Sequence, residues 1–307
     1  MSFVRFSAEK REDLQLTAER RWESVLRARP DLGPAIDLQR RLLTIVVDLA
    51  ATLEGGRLPR LSLPPKYLAA KLGRGVPAFA GEPIPLPLPA LTPALLGLSS
   101  ALAQGGAGDA AIHIRQALED GSVEPGSLLA ASVARNQPAI RTGAMHRGLA
   151  PDLVWLVAEL AASPYVHTLQ RVLLAGAADE RLKAALETWS RGYCPACGSW
   201  PAVAEVVAGH RVLRCSFCAS AWELSPYACI YCDHAGNRFV TAAPNEERKD
   251  RRLEVCGACG GYLKSIDIAG LSPFPLLSIS DIETTDLDLA AMEHGYKRPA
   301  LKEFMRR

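Results

Sequence analysis

The chain has no cysteine before Cys194, no excess of either charge, and no apolar run long enough to span a bilayer. Each absence excludes something. A balance of 35 basic against 33 acidic residues, net +2, gives none of the concentrated positive field that holds a phosphate backbone. The opening residues, Met1 to Lys10, lack the apolar core of a secretory signal. The longest apolar stretch near them, Leu42 to Leu53, is broken by Thr44, Asp48 and Thr52 and is too short to cross a membrane. The pair Arg40-Arg41 superficially resembles a twin-arginine export signal, yet it follows a charged segment and reads as a helix start. These readings predict a cytoplasmic protein with no membrane insertion and no nucleic-acid partner. In a reducing cytosol its cysteines are thiols or metal ligands, not disulfides.

Catalytic constellations are missing as well. Gly105-Gly106-Ala107-Gly108 lacks the flanking strand and the Lys-Ser/Thr of a phosphate loop. Ser99, Ser100, Asp109 and His113 make no recognisable triad. His113, His146 and His167 stand without acidic partners at ligand spacing. The expectation is a protein that is not an enzyme.

What is present divides sharply. The 307 residues suit two domains, and 49% apolar against 22% charged residues make them globular. Before the cysteines the texture is helical, with helices expected at 14–29, 35–54, 94–104, 109–119, 127–134, 151–162, 165–175 and 178–190. Pro34 in the first turn and Gly55-Gly56 at the stop frame the second, and Ile36, Leu43, Val47 and Ala50 form its apolar stripe. Pro151-Asp152 opens another, with Val154, Leu156, Val157 and Leu160 as its face.

Residues 57–93 hold nine prolines and exclude long helices. The run from Glu82 to Ala90 reads as extended polyproline II, a loop packing Ile84, Leu86 and Leu88, with a partner-docking strip as the alternative. After residue 200 short strands are expected at Ala202–Val207, Arg211–Arg214, Ala221–Leu224, Arg238–Ala242 and Leu253–Val255. Glu246–Arg252 reads as a solvated hairpin tip. The last forty or so residues, ending in a short helix from Leu301, are expected to pack back on the strands or trail as a tail.

The eight cysteines form four knuckles: Cys194-x-x-Cys197, Cys215-x-x-Cys218, Cys229-x-x-Cys232 and Cys256-x-x-Cys259. Two cysteines three apart in a tight turn aim both sulfurs at one ion, and a second turn completes a tetrahedral site. Seventeen residues separate the first two knuckles, a spacing suited to a hairpin, and 23 separate the last two. Sequential pairing closes the shorter loops, so Cys194, Cys197, Cys215 and Cys218 are expected at one site and Cys229, Cys232, Cys256 and Cys259 at the other. Crossed pairing remains the alternative. Four sulfurs take zinc or a single iron, and the ligand type alone does not choose. With four sulfurs already supplied, His210 and His234 are read as supporting or surface residues.

The predicted architecture is a multidomain α and β protein. A multi-helical domain over 1–190 is followed by two tandem rubredoxin-like or zinc-ribbon metal-binding modules, at 191–226 and 227–270, and by a C-terminal extension at 271–307. Tyr193, Trp200, Trp222 and Tyr262 flank the knuckles and are candidate exposed anchors for a partner, with packing inside small ribbon cores as the other reading.

The runs Tyr193-Cys-Pro-Ala-Cys-Gly-Ser-Trp-Pro, Arg214-Cys-Ser-Phe-Cys-Ala-Ser-Ala-Trp-Glu, Cys229-Ile-Tyr-Cys and Val255-Cys-Gly-Ala-Cys-Gly-Gly-Tyr-Leu-Lys resemble the formate dehydrogenase accessory protein (FdhE) family. The resemblance covers residues 193–267; before them only a helical region and Leu86-Pro87-Leu88 are similar. It implies a cytoplasmic, non-enzymatic assembly factor that contacts the catalytic subunit of formate dehydrogenase before export. It also implies that the eight cysteines bind two mononuclear metal ions, with iron held in a rubredoxin-like manner favoured over zinc. The chain departs from the family where glycine often follows the second and third knuckles, here Ala219 and Asp233. A homo-oligomer is compatible with all of this. The competing functions are a rubredoxin-like redox or sulfur-handling protein and, more remotely, a nucleic-acid-binding zinc ribbon.

Overall fold

A computed structural model describes residues 3–4, 10–59, 61–175, 178–243 and 249–301. Packing divides the chain into two compact units, Ala8–Ser62 with Gly81–Leu169, and Met1–Ser7 with Leu63–Ala80 and Gln170–Arg307. Residues 63–80 and 170–190, read from the sequence as part of the helical domain, thus pack with the cysteines. After the short β1 (Phe3–Val4) come α1 (Arg11–Ala28), α2 (Gly33–Gly55), α3 (Pro65–Gly73), α4 (Leu88–Leu102), α5 (Gly108–Glu119), α6 (Pro125–Val133), α7 (Gln137–His146), α8 (Pro151–Gln170) and α9 (Glu180–Glu187).

In the helical unit α4 lies against α2, α5 and α6. Its Leu91, Leu95 and Leu98 are fully buried, the i, i+4, i+7 stripe of a core-facing helix. The expected apolar positions Ile36, Leu43 and Val47 of α2 are buried too. One helix, α8, covers the segment expected as two, with Pro164 inside it.

The proline-rich stretch differs from its reading. It holds α3 and the first turns of α4, because Pro65 and Pro89 occupy first-turn positions whose amides have no intrahelical acceptor anyway. The same tolerance admits α7, unforeseen in the sequence, with Pro138 in its first turn and the Asn136 side chain accepting from the Ala139 amide at 3.2 Å. Between α3 and α4, Ile84, Leu86 and Leu88 are half-buried, and the Tyr165 hydroxyl donates to the Pro85 carbonyl at 2.5 Å. That is the packed-loop arrangement.

The cysteine unit is built on one sheet. Its strands are β1, β2 (Pro201–Val207), β3 (His210–Cys215), β4 (Ala221–Glu223), β5 (Phe239–Ala242), β6 (Arg251–Cys256) and β7 (Tyr262–Asp267), in the order β1-β4-β3-β2-β7-β6-β5. Strands β2 to β4 form one antiparallel meander and β5 to β7 another. Parallel pairing of Val203–Val206 with Lys264–Asp267 fuses them. The two expected modules are therefore halves of a continuous sheet.

Two C-terminal helices, α10 (Leu277–Glu283) and α11 (Thr285–Glu293), pack on it. Leu277 joins Ala202, Val203 and Ile266, while Leu287 and Ala291 join Leu253 and Tyr262. Part of the expected solvated tip is strand, since Arg251 and Arg252 open β6 and Arg252 pairs with Asp267. Residues 244–248, and those following Leu301 where a short helix was expected, lie outside the described residues.

Candidate metal centre

The four knuckles share one backbone design. The amide of each first cysteine donates to the carbonyl five residues on: Cys194 to Ser199, Cys215 to Ser220, Cys229 to His234 and Cys256 to Gly261, all at 2.9 Å. The amide after each second cysteine turns back to the first: Gly198 to Cys194 (3.0 Å), Ala219 to Cys215 (3.2 Å), Asp233 to Cys229 (2.9 Å) and Gly260 to Cys256 (2.8 Å). This tight turn requires a left-handed backbone at its fourth step. Gly198, Ala219, Asp233 and Gly260 have φ of 84°, 51°, 59° and 70°. Glycine adopts that region freely, whereas alanine meets a steric cost.

The turns bring the cysteines together in sequential pairs. Cys194, Cys197, Cys215 and Cys218 form one set and Cys229, Cys232, Cys256 and Cys259 the other, with the sulfurs of each set within 4.8 Å of one another. In the first, Cys194 lies 3.6 Å from Cys218, and Cys197 lies 3.5 Å from Cys215 and 3.7 Å from Cys218. In the second, Cys229–Cys259 and Cys232–Cys256 are each 3.7 Å apart. A tetrahedron with metal–sulfur bonds of about 2.3 Å has edges of about 3.8 Å, so both sets have the dimensions and the donor chemistry to hold one zinc or iron ion each.

Their electrostatics point the same way. Burial pushes the Cys215 and Cys218 thiols well above their ordinary value, because a thiolate there is desolvated beside other sulfurs. Burial likewise raises Cys229 and Cys259. At Cys256 burial also pushes upward, but amides of Cys259 and Ala258 and the neighbouring sulfurs outweigh it and bring the thiol down to about 7. Four adjacent thiolates without a cation would be strongly unfavourable, and a bound dication removes that penalty.

The surroundings of the two sets differ. In the first, Cys194, Cys197, Cys215 and Cys218 are all buried, whereas Cys232 and Cys259 of the second are exposed. Ser199 Oγ lies 3.4 Å from Cys197 Sγ, and Ser220 Oγ 3.1 Å from Cys218 Sγ. The corresponding positions of the second set carry His234 and Gly261. The amides of Phe217 and Cys218 donate to Cys215 Sγ at 3.4 Å.

Knuckle one is also closed over by the 63–80 segment. Lys71, buried on α3, donates from Nζ to the carbonyls of Ala78 (3.0 Å) and Ala80 (2.5 Å). The amides of Ala78 and Phe79 donate to Pro195 and Ala196, and the Tyr193 hydroxyl donates to Gly75 at 2.7 Å. Gly192 fits the first knuckle against the third, since a Cβ there would stand 1.9 Å from the Ile230 carbonyl oxygen.

Several readings change. Tyr193, Trp222 and Tyr262, candidates for exposed anchors, are buried and Trp200 is half-buried. Trp189, Tyr193, Trp200 and Tyr231 form an edge-to-face chain with centroids 5.6, 5.8 and 5.0 Å apart, and Trp222 donates its indole N–H to Arg191. They are core. His210 is exposed and His234 half-buried, while His113 and His146 are exposed on their helices. The Ser99 and Ser100 hydroxyls donate to Leu95 and Leu96 of their own helix. Ser199, Ser220 and Lys71 were not foreseen. The repeated Cys-x-Ser after the first two knuckles was the available signal for the serines.

Fold and site together define a protein in which a helical unit accompanies a double four-cysteine sheet of rubredoxin-like or zinc-ribbon type. No family model matches the chain. It is 31% identical over 138 residues to an FdhE homologue of Aquifex aeolicus, covering 43% of this chain and 47% of that protein. It is 29% identical over 119 residues to FdhE of Escherichia coli, 38% of each chain. The matched stretch thus spans less than half the length of each relative. The fold resembles the crystal structure of FdhE from Pseudomonas aeruginosa, with a TM-score of 0.62 at 22% identity, over 97% of this chain and 96% of that one. The relatives matched over this stretch are FdhE proteins, and the similar fold is that of an FdhE crystal structure. No helix among the described residues is long and apolar enough to cross a membrane.

Proposed function

We propose that each four-cysteine set holds one metal ion, iron or zinc, through Cys194, Cys197, Cys215 and Cys218 and through Cys229, Cys232, Cys256 and Cys259. We further propose that the protein is a non-enzymatic accessory factor for formate dehydrogenase maturation, binding that enzyme's catalytic subunit in the cytoplasm before export. The convergence of all eight cysteines into two four-sulfur sets on one sheet carries the reading. The FdhE likeness gives it a direction.

A bound ion would tie the segment leading into each meander to the turn between its second and third strands and supply folding energy to it. A set already filled by four sulfurs leaves no coordination position for substrate, which suits bracing a docking surface better than catalysis. The knuckle amides stabilise thiolates, the Ser199 and Ser220 hydroxyls lie against two of the first set's sulfurs, and the edge-to-face aromatic chain packs the first knuckle against the third.

The test is capture of a formate dehydrogenase catalytic subunit by the intact protein and by Cys256→Ser. Retention by the first and loss by the second supports the role and links it to the metal. Retention by neither, with the intact protein fully metallated, removes it. A rubredoxin-like redox or sulfur-handling function is the second reading, favoured by the exposure of Cys232 and Cys259. Reversible bleaching on reduction with turnover by a reductase would select it; a colourless zinc protein would not.

A further inference from the structure

We propose that the two four-cysteine sets are a sealed structural site and an exchange site, and that the second set gives up its ion to competing soft-donor ligands while the first keeps its own. The inference rests on the reading that both sets hold metal. It goes further by assigning them different chemistry.

Three differences carry it. Access comes first: the first set exposes no cysteine, whereas Cys232 and Cys259 of the second are open, as are Gly257 and Ala258 inside the fourth knuckle. An incoming thiolate or chelator must approach the ion or displace a sulfur, and such exchange is governed by access to the sulfur. Second, the first set has hydroxyls beside one sulfur of each knuckle, Ser199 at 3.4 Å and Ser220 at 3.1 Å. His234 and Gly261 stand at those steps in the second set, and a glycine has no side chain to offer.

Third is the cover. Backbone bonds from Ala78 and Phe79 to Pro195 and Ala196 lay the 63–80 segment on the first knuckle, and buried Lys71 anchors that segment. To open the first set, this cover and the Cys215–Cys218 turn, with its buried Phe217, must come apart together. The fourth knuckle also takes backbone bonds, from Lys297 to Gly260 and from Gly257 to Arg238, yet these leave Cys232 and Cys259 exposed. Exposed Cys232 and Cys259 belong to different knuckles, so an attacking ligand can enter from either side.

The probe is zinc itself. Full-length protein loaded with two equivalents is mixed with an excess of a chromogenic chelator, and release is followed by absorbance. Two phases of one equivalent each are expected, the faster by at least about tenfold given the difference in sulfur access. Iodoacetamide added after the fast phase should label Cys229, Cys232, Cys256 and Cys259 and spare Cys194, Cys197, Cys215 and Cys218, as mapped by mass spectrometry. Cys259→Ser should keep the slow equivalent and lose the fast one. Release of both equivalents in one phase, or early labelling of Cys194 to Cys218, overturns the proposal. If the loaded protein never holds two equivalents, the metal reading itself fails. The labelling uses unaltered protein, so the outcome does not depend on the variant folding.

Discussion

The first and second cysteine sets use the same turn twice each, with the same amide-to-carbonyl closure, yet they sit in opposite surroundings. The first is enclosed by a segment from early in the chain, by two serine hydroxyls and by the fully buried Arg214–Glu205 pair. Arg214 also donates to the Ser272 carbonyl at 2.6 Å, and the Ser272 amide donates back to Glu205. The second is open at two cysteines. Its half of the sheet is held by a partly exposed network in which Lys264 meets Asp281 and Asp288 at 2.6 Å and Arg298 meets the same two carboxylates. One turn geometry therefore serves two environments, and burial rather than the ligand set distinguishes them.

The largest expected effect breaks this symmetry directly. Cys215→Ser should destabilise the cysteine unit by more than about 4 kcal/mol, because it removes a metal ligand from a sealed core. Cys259→Ser should cost clearly less, since water can solvate the altered ligand. Urea unfolding followed by tryptophan fluorescence reads the difference, as Trp189, Trp200 and Trp222 all lie in this unit. Helical circular dichroism from the other unit should survive both changes. Equal losses from the two variants would erase the distinction.

Next in size is Arg214→Leu. Removing one member of a buried ion pair strands the other, at a cost of about 3–5 kcal/mol. Glu205 would keep only the Ser272 amide among its described partners. The loss should appear in the same urea midpoint, and the restoring double change Glu205→Leu with Arg214→Leu should recover much of it.

Acid should act on the other half. Burial pushes the Asp281 carboxyl upward, but Arg298 and Lys264 outweigh it and hold it below its ordinary value of 3.8. A carboxyl that ionises more readily when folded gives its full stabilisation above the unfolded value and loses it as the pH falls further. Below about pH 4, α10 and α11 should therefore loosen from β7, and Asp281→Asn should weaken that acid dependence. Amide exchange over β7, compared between the variant and the unaltered protein, separates this effect from acid release of metal.

The smallest effect concerns the turns. Ala219 holds a left-handed backbone with φ of 51°, so Ala219→Gly should stabilise by about 0.5 kcal/mol after its greater unfolded-state entropy is subtracted. Asp233→Gly should gain less, because aspartate tolerates that region better. A fall in melting temperature for Ala219→Gly would show that the side chain's packing outweighs the strain.

The knuckles were legible in the sequence because the turn is local: spacing alone places two sulfurs, and a hairpin length places the next two. The departures at Ala219 and Asp233 were legible too, as missing glycines, and they fall at the left-handed steps. The fusion of the two ribbons was not. Strand β7 carries Lys264 and Ser265 buried on a central strand, so it shows no apolar alternation, and its parallel partner β2 is remote in sequence.

The cover from 63–80 was equally hidden, since backbone amides make its bonds to the first knuckle and leave no side-chain pattern. Counting prolines as helix breakers missed α3 and the start of α4, where prolines occupy first turns. Aromatic residues beside small metal ribbons looked like anchors. The edge-to-face chain and the weight of the C-terminal helices bury most of them.

Both the bracing role and the exchange difference require two four-sulfur metal sites per chain. The most direct test is metal content together with X-ray absorption at the metal edge, on protein purified without added metal. Two equivalents per chain with a first shell of four sulfurs at about 2.3 Å is the predicted result. Eight freely titrating thiols in the folded protein, or nitrogen and oxygen in the first shell, would contradict it.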